Sequence, residues 1–417
     1  MNFIDLFAGL GCFHIALESA GHTCVFASEI NKELCDLYEE NFNLRPLGDI
    51  TKININNIPN HDILCAGFPC QPFSKAGRQR GLGEERGLLI NSIIEILNVH
   101  RPRFVILENV RNLEKHDKGN TWTYIRNQIE NLGYAVDKKI ISPHVIGIPQ
   151  HRERIFIVCS LVGLEHFEWP ENRLIDTNVN SVIEEAPQNV IPLAQEQRHV
   201  IQVWQTFLNL LPENVYPYSP LWSMEFGATY PYQDIDISKV SAKELWQYHG
   251  TFGAPLNGLS KEEILLKLPN YIKTQKGEIP RWKQNFIKNN RLFYEQYKEY
   301  IAPILPEIIN LNLESWQKFE WNCAKQEKNI NNYLIQFRGS GVRVKKTDFF
   351  PSLVTVGTQM PIIGWQNRYI TPREGARLQS IPDNVRLPES IKSCFKALGN
   401  AVNVDIVTNI TNALIVE

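Results

Sequence analysis

The sequence predicts an α/β fold, a doubly wound and mostly parallel sheet accompanied by a second, smaller domain. Between residues 2 and 161, short apolar runs alternate with amphipathic segments of roughly 10 to 15 residues, which is typical of βαβ units. The alternation stops near residue 165 and returns after residue 365. We therefore expect a discontinuous first domain, residues 1–165 plus 366–417, and a second domain over residues 166–365.

The strands of the first domain are predicted from apolar runs rich in β-branched and aromatic residues. They are NFIDLF, TCVFASE, HDILCAGF, RFVILENV, YAVDKKIISP and RIFIVCSL. Helices are predicted at CFHIALESAG, NKELCDLYEENF, LLINSIIEILNVH and TWTYIRNQIENLG, and near the C-terminus at TPREGARLQSI and NVDIVTNITNALIV. Ligands bind at the carboxyl ends of strands in open parallel sheets, so the residues that follow each strand are the first site candidates.

The second domain differs in composition. Eight of the nine tryptophans lie beyond residue 165. Residues 261–300 hold nine Lys/Arg and five Asp/Glu with aromatic residues between them, and residues 336–347 hold four Lys/Arg and no acid. Gly339 and Gly341 predict a loop in the latter segment. A basic segment of this kind is either a solvated face or a contact to phosphates.

Composition excludes several classes of protein. Hydrophobic residues make up 43% and charged residues 21% of the 417 residues, as in packed globular proteins, and no apolar run reaches a membrane span. The first residues carry no basic leader, so the cytoplasm is expected. The net charge of −2 does not by itself favour binding to nucleic acid, so any such contacts would require a local basic face. The eight cysteines lack metal-ligand spacing and are expected to be reduced, mostly buried thiols without a metal.

The first predicted strand is followed by a glycine-bearing turn, DLFAGLGC. Gly9 and Gly11 let the backbone approach a ligand, but the GxGxxG pattern of a phosphate loop is missing. Glu29 ends the second strand, and Asp49 follows an expected third strand. Acids at these places without a phosphate loop favour an adenosine ligand that lacks phosphates over NAD. The alternative for Glu29 is an acid at a helix N-terminus.

A cysteine stands in the turn after the strand HDILCAGF. Pro69 and Pro72 restrict the backbone on both sides of Cys70, so its sulfur can be aimed. A cysteine reacts as the thiolate and needs assistance at neutral pH. Glu108 ends the strand RFVILENV and would face the same crevice, which makes a pair of nucleophile and acid–base group. The alternative for Glu108 is a polar strand end.

Two arginines precede the strand RIFIV. Arg152 and Arg154 are spaced two apart and would point to one side of an extended chain. Two guanidiniums on one side suit an anion or the acceptor edge of a base. The alternative is a surface pair of ion-paired side chains.

These motifs together resemble the DNA (cytosine-5)-methyltransferase family of the bacterial restriction-modification type. FIDLFAGLGCF resembles its cofactor loop, PCQPFS its nucleophile motif, ENV its base-binding glutamate motif and QHRERI its double-arginine motif. TPREGARLQSIP and ALGNAV resemble the two closing motifs, and FFPSLVT the end of the target-recognition domain. Two residues stand out: Cys12 replaces a usual glycine, and Gly375 lies inside a predicted helix.

The resemblance implies the AdoMet-dependent methyltransferase version of the sheet, with S-adenosylmethionine as methyl donor, S-adenosylhomocysteine as product and no metal. The residues assigned to the cofactor are Phe7, Gly9, Gly11, Phe13, Glu29, Ile30, Asp49, Ile50, Pro69, Leu89, Asn400 and Ala401. A cytosine would be flipped out of the duplex. Cys70 would then attack its C6, Glu108 would bind N3 and the amino group, and Arg154 would bind O2. Arg152 would support the backbone.

The same resemblance implies double-stranded DNA as the partner. The DNA contacts it assigns are Gln71, Ser74, Arg78, Arg338, Arg343 and Lys345, with Ser340 and Gln359 as further candidates for base contacts. Residues 77–87 are expected to form a mobile lid. The product would be 5-methylcytosine that protects host DNA. A cognate restriction endonuclease would be a functional partner, and the enzyme would act as a monomer near the nucleoid.

Three alternatives stay open. A tRNA-acting enzyme of the same family would carry a CFT signature and a small recognition domain, whereas this chain has neither. A catalytically inactive DNA-binding protein is disfavoured by the intact set Cys70, Glu108 and Arg154. An NAD-dependent enzyme is disfavoured by the missing phosphate-loop glycines. The sequence does not predict which DNA sequence is the target.

Overall fold

The chain folds into two units in the computed structural model, which describes residues 1–69, 88–171, 175–187, 190–233, 235–275, 277–353 and 359–415. The first unit comprises Met1–Gln188, Asp348–Gly357 and Thr371–Glu417. The second comprises Asn189–Thr347 and Thr358–Ile370. Both units are therefore discontinuous in sequence.

Strands and helices of the described residues are numbered in chain order. The strands are β1 (Asn2–Leu6), β2 (Thr23–Ser28), β3 (Ile63–Gly67), β4 (Phe104–Val110), β5 (Ala135–Ile141), β6 (Gln150–His151), β7 (Arg154–Ser160), β8 (Leu221–Trp222), β9 (Lys318–Asn322), β10 (Leu334–Arg338), β11 (Gly341–Lys345), β12 (Phe350–Pro351), β13 (Ile362–Ile363) and β14 (Arg368–Tyr369). The helices are α1 (Cys12–Ser19), α2 (Lys32–Phe42), α3 (Leu88–His100), α4 (Asn120–Asn131), α5 (Gln195–Leu210), α6 (Ala242–Leu245), α7 (Lys261–Leu266), α8 (Asn270–Lys273), α9 (Arg281–Ile301), α10 (Leu305–Ile309), α11 (Pro372–Arg377), α12 (Ile391–Asn400) and α13 (Val404–Leu414).

A six-stranded sheet in the order β2-β1-β3-β4-β7-β5 forms the centre of the first unit. β1 pairs in parallel with β2 and β3, and β3 pairs in parallel with β4. β7 is antiparallel to both β4 and β5. The middle strands are apolar along most of their length because helices cover both faces of such a sheet. This topology agrees with the predicted doubly wound, mostly parallel sheet.

The C-terminal helix connects the two ends of the chain within the first unit. α13 packs against α1, which directly follows β1. Val404, Ile406, Val407 and Ile410 are buried on α13. Val404, Val407 and Ile410 follow at intervals of three and Ile406 precedes Ile410 by four, so the buried residues lie on one broad helix face. The C-terminal motifs of the sequence therefore lie beside the glycine-bearing turn of the N-terminus.

The expected strand before Asp49 is wrong. Leu47 makes only an isolated parallel bridge with Ser28, and the third strand of the sheet is β3. Pro46 lacks a backbone N–H for a ladder and Gly48 packs no side chain, so the segment does not extend into a strand. Asp49 instead caps a short 3-10 helix by accepting from the Thr51 N–H at 3.0 Å.

The second unit contains its own six-stranded sheet, in the order β14-β13-β10-β11-β9-β8. The loop expected over residues 336–347 is wrong, since β10 and β11 form an antiparallel hairpin there. Gly339 falls at the turn, and Gly341 opens β11 with φ of +142° against the Lys318 carbonyl. Ile335, Phe337, Val342 and Val344 alternate along the two strands and are buried in the core. This period-two pattern stabilises strands.

No helix in the described part of the chain is both long and apolar enough to cross a membrane. Within the same residues, no group of three or more His, Cys, Asp or Glu side chains is arranged to hold a metal ion.

Candidate functional site

The carboxyl ends of β1, β3 and β4 bring together side chains from distant motifs. Gly67 ends β3, and a Cβ atom placed on it would lie 3.5 Å from Val402, 3.6 Å from Phe13 and 3.7 Å from the Glu108 carboxylate. Three of the sequence motifs therefore meet around one glycine that leaves the space open. Pro69 lies two residues further along the chain.

The turn after β1 has the backbone of a ligand-binding loop. Phe7, Gly9 and Gly11 all have positive φ, at 58°, 56° and 74°. Gly11 is required here because a Cβ atom would overlap the ring of Phe42. α1 begins directly after this turn.

Glu29 organises the turn from the end of β2. Its Oε2 accepts from the Gly9 N–H at 2.9 Å, and its Oε1 accepts from the Asn31 N–H at 2.8 Å. Asn31 in turn caps α2 by accepting from the Leu34 N–H at 3.4 Å. The carboxylate thus joins the glycine turn to the start of the next helix.

The other residues assigned to the cofactor fall into exposed and buried groups. Ile30 is exposed to 76% although it is apolar, and Asn400 is also exposed. Phe13, Ile50 and Ala401 are buried, whereas Asp49, Pro69 and Leu89 are partly exposed. Ile30 is therefore an exposed apolar side chain next to the Glu29 carboxylate.

The buried Glu108 pairs with the partly exposed Arg154 across the antiparallel strands β4 and β7. The Arg154 Nε atom lies 3.0 Å from Glu108 Oε1, and the two side chains are 18% and 7% exposed. Burial raises the pKa of Glu108, and the guanidiniums of Arg154 and Arg152 offset this only in part. The carboxyl therefore keeps its proton to higher pH than an exposed glutamate. Such a group can donate a hydrogen bond or a proton.

Arg152 is not the surface ion pair considered as the alternative, because it is only 2% exposed. Its Nη2 donates to the carbonyl oxygens of Gly399 at 2.8 Å and Ala401 at 2.9 Å. Its Nη1 donates to the Leu353 carbonyl and to Ser352 Oγ, each at 3.3 Å. This side chain joins three separated segments of the first unit.

Asp5 is a buried ionisable residue that the sequence analysis missed. It is 0% exposed within β1. Burial raises the pKa of Asp5 to about 8; a hydrogen bond from the His14 backbone offsets part of this shift, and the Glu29 carboxylate adds a smaller increase. His14 lies next to it and contacts the Tyr38 hydroxyl at 2.7 Å. The sequence feature that could have identified Asp5 is the presence of one acidic residue inside the apolar run FIDLF.

The described cysteines are not thiolate candidates. None of the seven described cysteines forms a disulfide with another, and burial raises the pKa of each one for which a shift is resolved; that of Cys12 reaches about 12. Cys12 opens α1 and is 4% exposed, so the residue that replaces the usual glycine is a neutral buried thiol. Cys70, predicted as the nucleophile, lies outside the described residues.

Some of the predicted DNA contacts lie among the described residues and others do not. Gln71, Ser74 and Arg78, with the expected lid over residues 77–87, lie outside the described residues. Arg338 ends β10, and Arg343 and Lys345 lie on β11, all three partly exposed. Arg343 is ion-paired with Glu320, whose carboxylate lies 2.6 Å from its Nη2. The sequence analysis did not single out Glu320.

The chain is similar to known proteins along nearly its whole length. The family described as C-5 cytosine-specific DNA methylase matches residues 1–219 and 235–416. The Type II methyltransferase M.AluI of Cellulosimicrobium cellulans is 30% identical over 98% of this chain and 91% of its own length. The Type II methyltransferase M.BanI of Aneurinibacillus aneurinilyticus is 30% identical over 99% of this chain and 95% of its own length. The Type II methyltransferase M.HhaI of Haemophilus parahaemolyticus is 43% identical over 44% of this chain, a match that spans 57% of that relative's length.

Solved structures show the same fold. A putative DNA modification methyltransferase from an Escherichia coli prophage superposes with a TM-score of 0.54 at 20% identity, over 99% of this chain and 98% of the other. The Entamoeba histolytica methyltransferase EhMeth superposes with a TM-score of 0.51 at 15% identity, over 99% and 97%. These neighbours confirm the predicted methyltransferase fold class. Together with the relatives that match along nearly the entire chain, the family match shows that this protein belongs to the C-5 cytosine-specific DNA methylases.

Proposed function

We propose that this chain transfers a methyl group from S-adenosylmethionine to C5 of a specific cytosine in double-stranded DNA, after flipping that base out of the helix. The observation that carries the proposal is the Glu108–Arg154 pair beside Gly67. The pair offers a hydrogen-bond donor, a hydrogen-bond acceptor and a positive charge. It lies beside Gly67, three residues before Cys70 in the sequence. Cytosine presents the matching groups at N3, its amino group and O2.

The residues around the glycine turn fit an adenosine ligand. The backbone between Phe7 and Gly11 leaves room for close approach, Glu29 presents a carboxylate beside it, and Ile30 offers an exposed apolar side chain. With Asp49, these residues would hold the cofactor. S-adenosylmethionine supplies the activated methyl group when it is bound.

The protein's own residues activate the base. The Cys70 thiolate forms a bond to C6, which makes C5 nucleophilic and moves negative charge toward N3 and O2. Glu108 neutralises that charge at N3 through its proton, and Arg154 binds O2. After C5 has accepted the methyl group, the C5 proton leaves to a base and the C6–sulfur bond breaks, which restores the thiolate.

The biological role follows from the relatives, which are named as Type II methyltransferases. We infer that the enzyme protects host DNA as the modification half of a restriction-modification system, with a cognate endonuclease as its functional partner. It would act as a monomer in the cytoplasm near the nucleoid. The first unit would carry catalysis and the second unit target recognition.

A mechanism-based trap tests the chemistry. A duplex with 5-fluorocytosine at the methylated position, located by bisulfite sequencing of DNA from expressing cells, cannot lose its C5 substituent as a proton. We expect a covalent adduct with the wild type and with Cys24→Ser, a matched thiol control, and none with Cys70→Ser. Adducts that persist in Cys70→Ser would exclude Cys70 as the nucleophile. Adducts on tRNA instead of DNA would favour a tRNA-acting enzyme of the same family.

A further inference from the structure

The sheet of the second unit has one polar face. Arg343 on β11 is in register with Glu320 on β9 and with Gln336 on β10. The residues that alternate with these three, including Phe319 and Val342, belong to the hydrophobic core. The polar face thus carries the ionisable side chains of these three strands.

Glu320 and Arg343 form a tight ion pair on this face. Arg343 donates from Nε to Glu320 Oε2 at 2.6 Å, and its Nη2 lies 2.6 Å from the same oxygen. The other carboxylate oxygen, Oε1, accepts from Ser340 Oγ at 3.0 Å. The Glu320 side chain is 9% exposed. Both oxygens are therefore used inside the hairpin, and the Arg343 guanidinium is held in one orientation.

Arg338 lies on the same face but lacks such a partner. It pairs in register with Gly341, two residues from Arg343, and makes no ion pair with a described residue. Its Nη1 atom is buried without a hydrogen-bond partner among the described residues. The two arginines and one carboxylate leave a net charge of +1 and unused donors. A buried donor without an acceptor costs free energy, so the cluster is one acceptor group short.

We propose that Arg338 reads a guanine of the target sequence, and that Glu320 is the positioning residue that orients Arg343 beside it. This inference rests on the proposed function. Guanine offers two adjacent acceptors, O6 and N7, in the major groove, and they match the planar fork of a guanidinium. A phosphate could also accept from this guanidinium, but only a guanine edge would make binding depend on N7, and the experiments below distinguish the two ligands.

The test uses the full-length enzyme and duplexes that contain the target site mapped by bisulfite sequencing. Each guanine on either strand is replaced in turn by 7-deazaguanine, which lacks N7. We expect kcat/KM of the wild type to fall about 5- to 100-fold at one guanine. Arg338→Ala should lose a similar factor on the natural site and become insensitive to 7-deazaguanine at that position. Glu320→Gln, which keeps the side-chain volume but removes the charge that orients Arg343, should lower discrimination at the same guanine.

Three comparisons make the proposal falsifiable. Lys325→Ala, which removes an exposed charge elsewhere in the second unit, should leave discrimination unchanged. Arg338→Lys should behave like Arg338→Ala, because an ammonium cannot form the two parallel hydrogen bonds. If Arg338→Lys restores activity, or if Arg338→Ala weakens all sequences equally, Arg338 contacts phosphate and the proposal is wrong. Absence of cytosine methylation by the wild type would instead overturn the proposed function together with this inference.

Discussion

Arg152 and Gly399 are joined by a hydrogen bond of 2.8 Å between a buried guanidinium and a backbone carbonyl 247 positions away in sequence. The same side chain reaches Ala401 and Leu353. The arginine therefore holds the C-terminal motif ALGNAV against the segment that carries Arg154, and it does so without contact to solvent.

Arg152→Lys should destabilise the enzyme because one ammonium cannot serve all of these acceptors. Buried carbonyls left without a donor cost about 1–3 kcal/mol each, so we expect a loss of roughly 3 kcal/mol and a melting temperature lower by about 5–10 °C. Differential scanning fluorimetry measures this. Arg126→Lys, in an exposed helical ion pair with Glu130, is the control and should change little. Equal melting of the two variants would contradict the bridging role.

Glu108→Gln should slow methyl transfer by about 100- to 10,000-fold, since the amide cannot give a proton to N3. Burial raises the pKa of Glu108, so its protonated form persists to higher pH and disappears as pH rises through the folded pKa. The wild-type rate should therefore show a falling alkaline limb that the variant lacks. Single-turnover rates between pH 6 and 10 test this.

The control for the Glu108 experiment is Glu153→Gln, which removes a carboxylate paired with Arg111 at the surface. It should retain the wild-type profile. If Glu108→Gln kept the same alkaline limb as the wild type, another group would be responsible for that limb.

Asp5→Asn should make stability less dependent on pH. Because the folded pKa is about 8 against an ordinary value of 3.8, the folded protein keeps a proton that the unfolded chain releases within that window. Wild-type stability should fall there as pH rises, by at most about 1.4 kcal/mol per pH unit. The advantage of Asp5→Asn should thus grow from pH 5 to pH 8 in urea unfolding. Asp405→Asn, which changes an exposed carboxyl, should show no such trend. If Asp5→Asn showed no trend either, the effect of burial on Asp5 would be disproved.

Gly11→Ala should weaken cofactor binding through the turn. The residue has φ of +74°, and an added Cβ would overlap Phe42. Gly21→Ala is a matched control, since Gly21 has φ of +83° with no atom within 4 Å of its Cβ position. Both should lose more than about 1 kcal/mol from the backbone, but only Gly11→Ala should also lose affinity for S-adenosylmethionine in calorimetry. Equal affinity in the two variants would refute the steric argument.

Much of the first unit could be predicted from sequence. Strands such as ILCAG and FVILENV are buried on both faces and read as continuous apolar runs, and the helices between them have clear periodicity. The family match confirms the predicted enzyme class. The strand predicted before Asp49 does not form because Pro46 has no backbone N–H for a ladder, although an acid after a short stretch with apolar residues resembles a strand end in sequence.

The second unit was harder to predict. Gly339 and Gly341 indicate a loop when read locally, but the flanking residues have a hydrophobic face that only tertiary packing reveals. Glu320 was missed because its importance depends on a parallel pairing between β9 and β11, which a local pattern does not encode. Asp5 was missed for a similar reason: its carboxyl matters through burial, and burial is a property of the assembled sheet.

The order of chain segments restricts how the second unit can be exchanged between relatives. The second unit consists of residues 189–347 and 358–370, and β13 in the latter segment pairs with β10 in the former. A graft of only one of these two segments would therefore separate paired strands of one sheet and leave mismatched halves. Hybrid enzymes that keep residues 348–357 of the first unit need both segments replaced together, which takes four junctions in the chain.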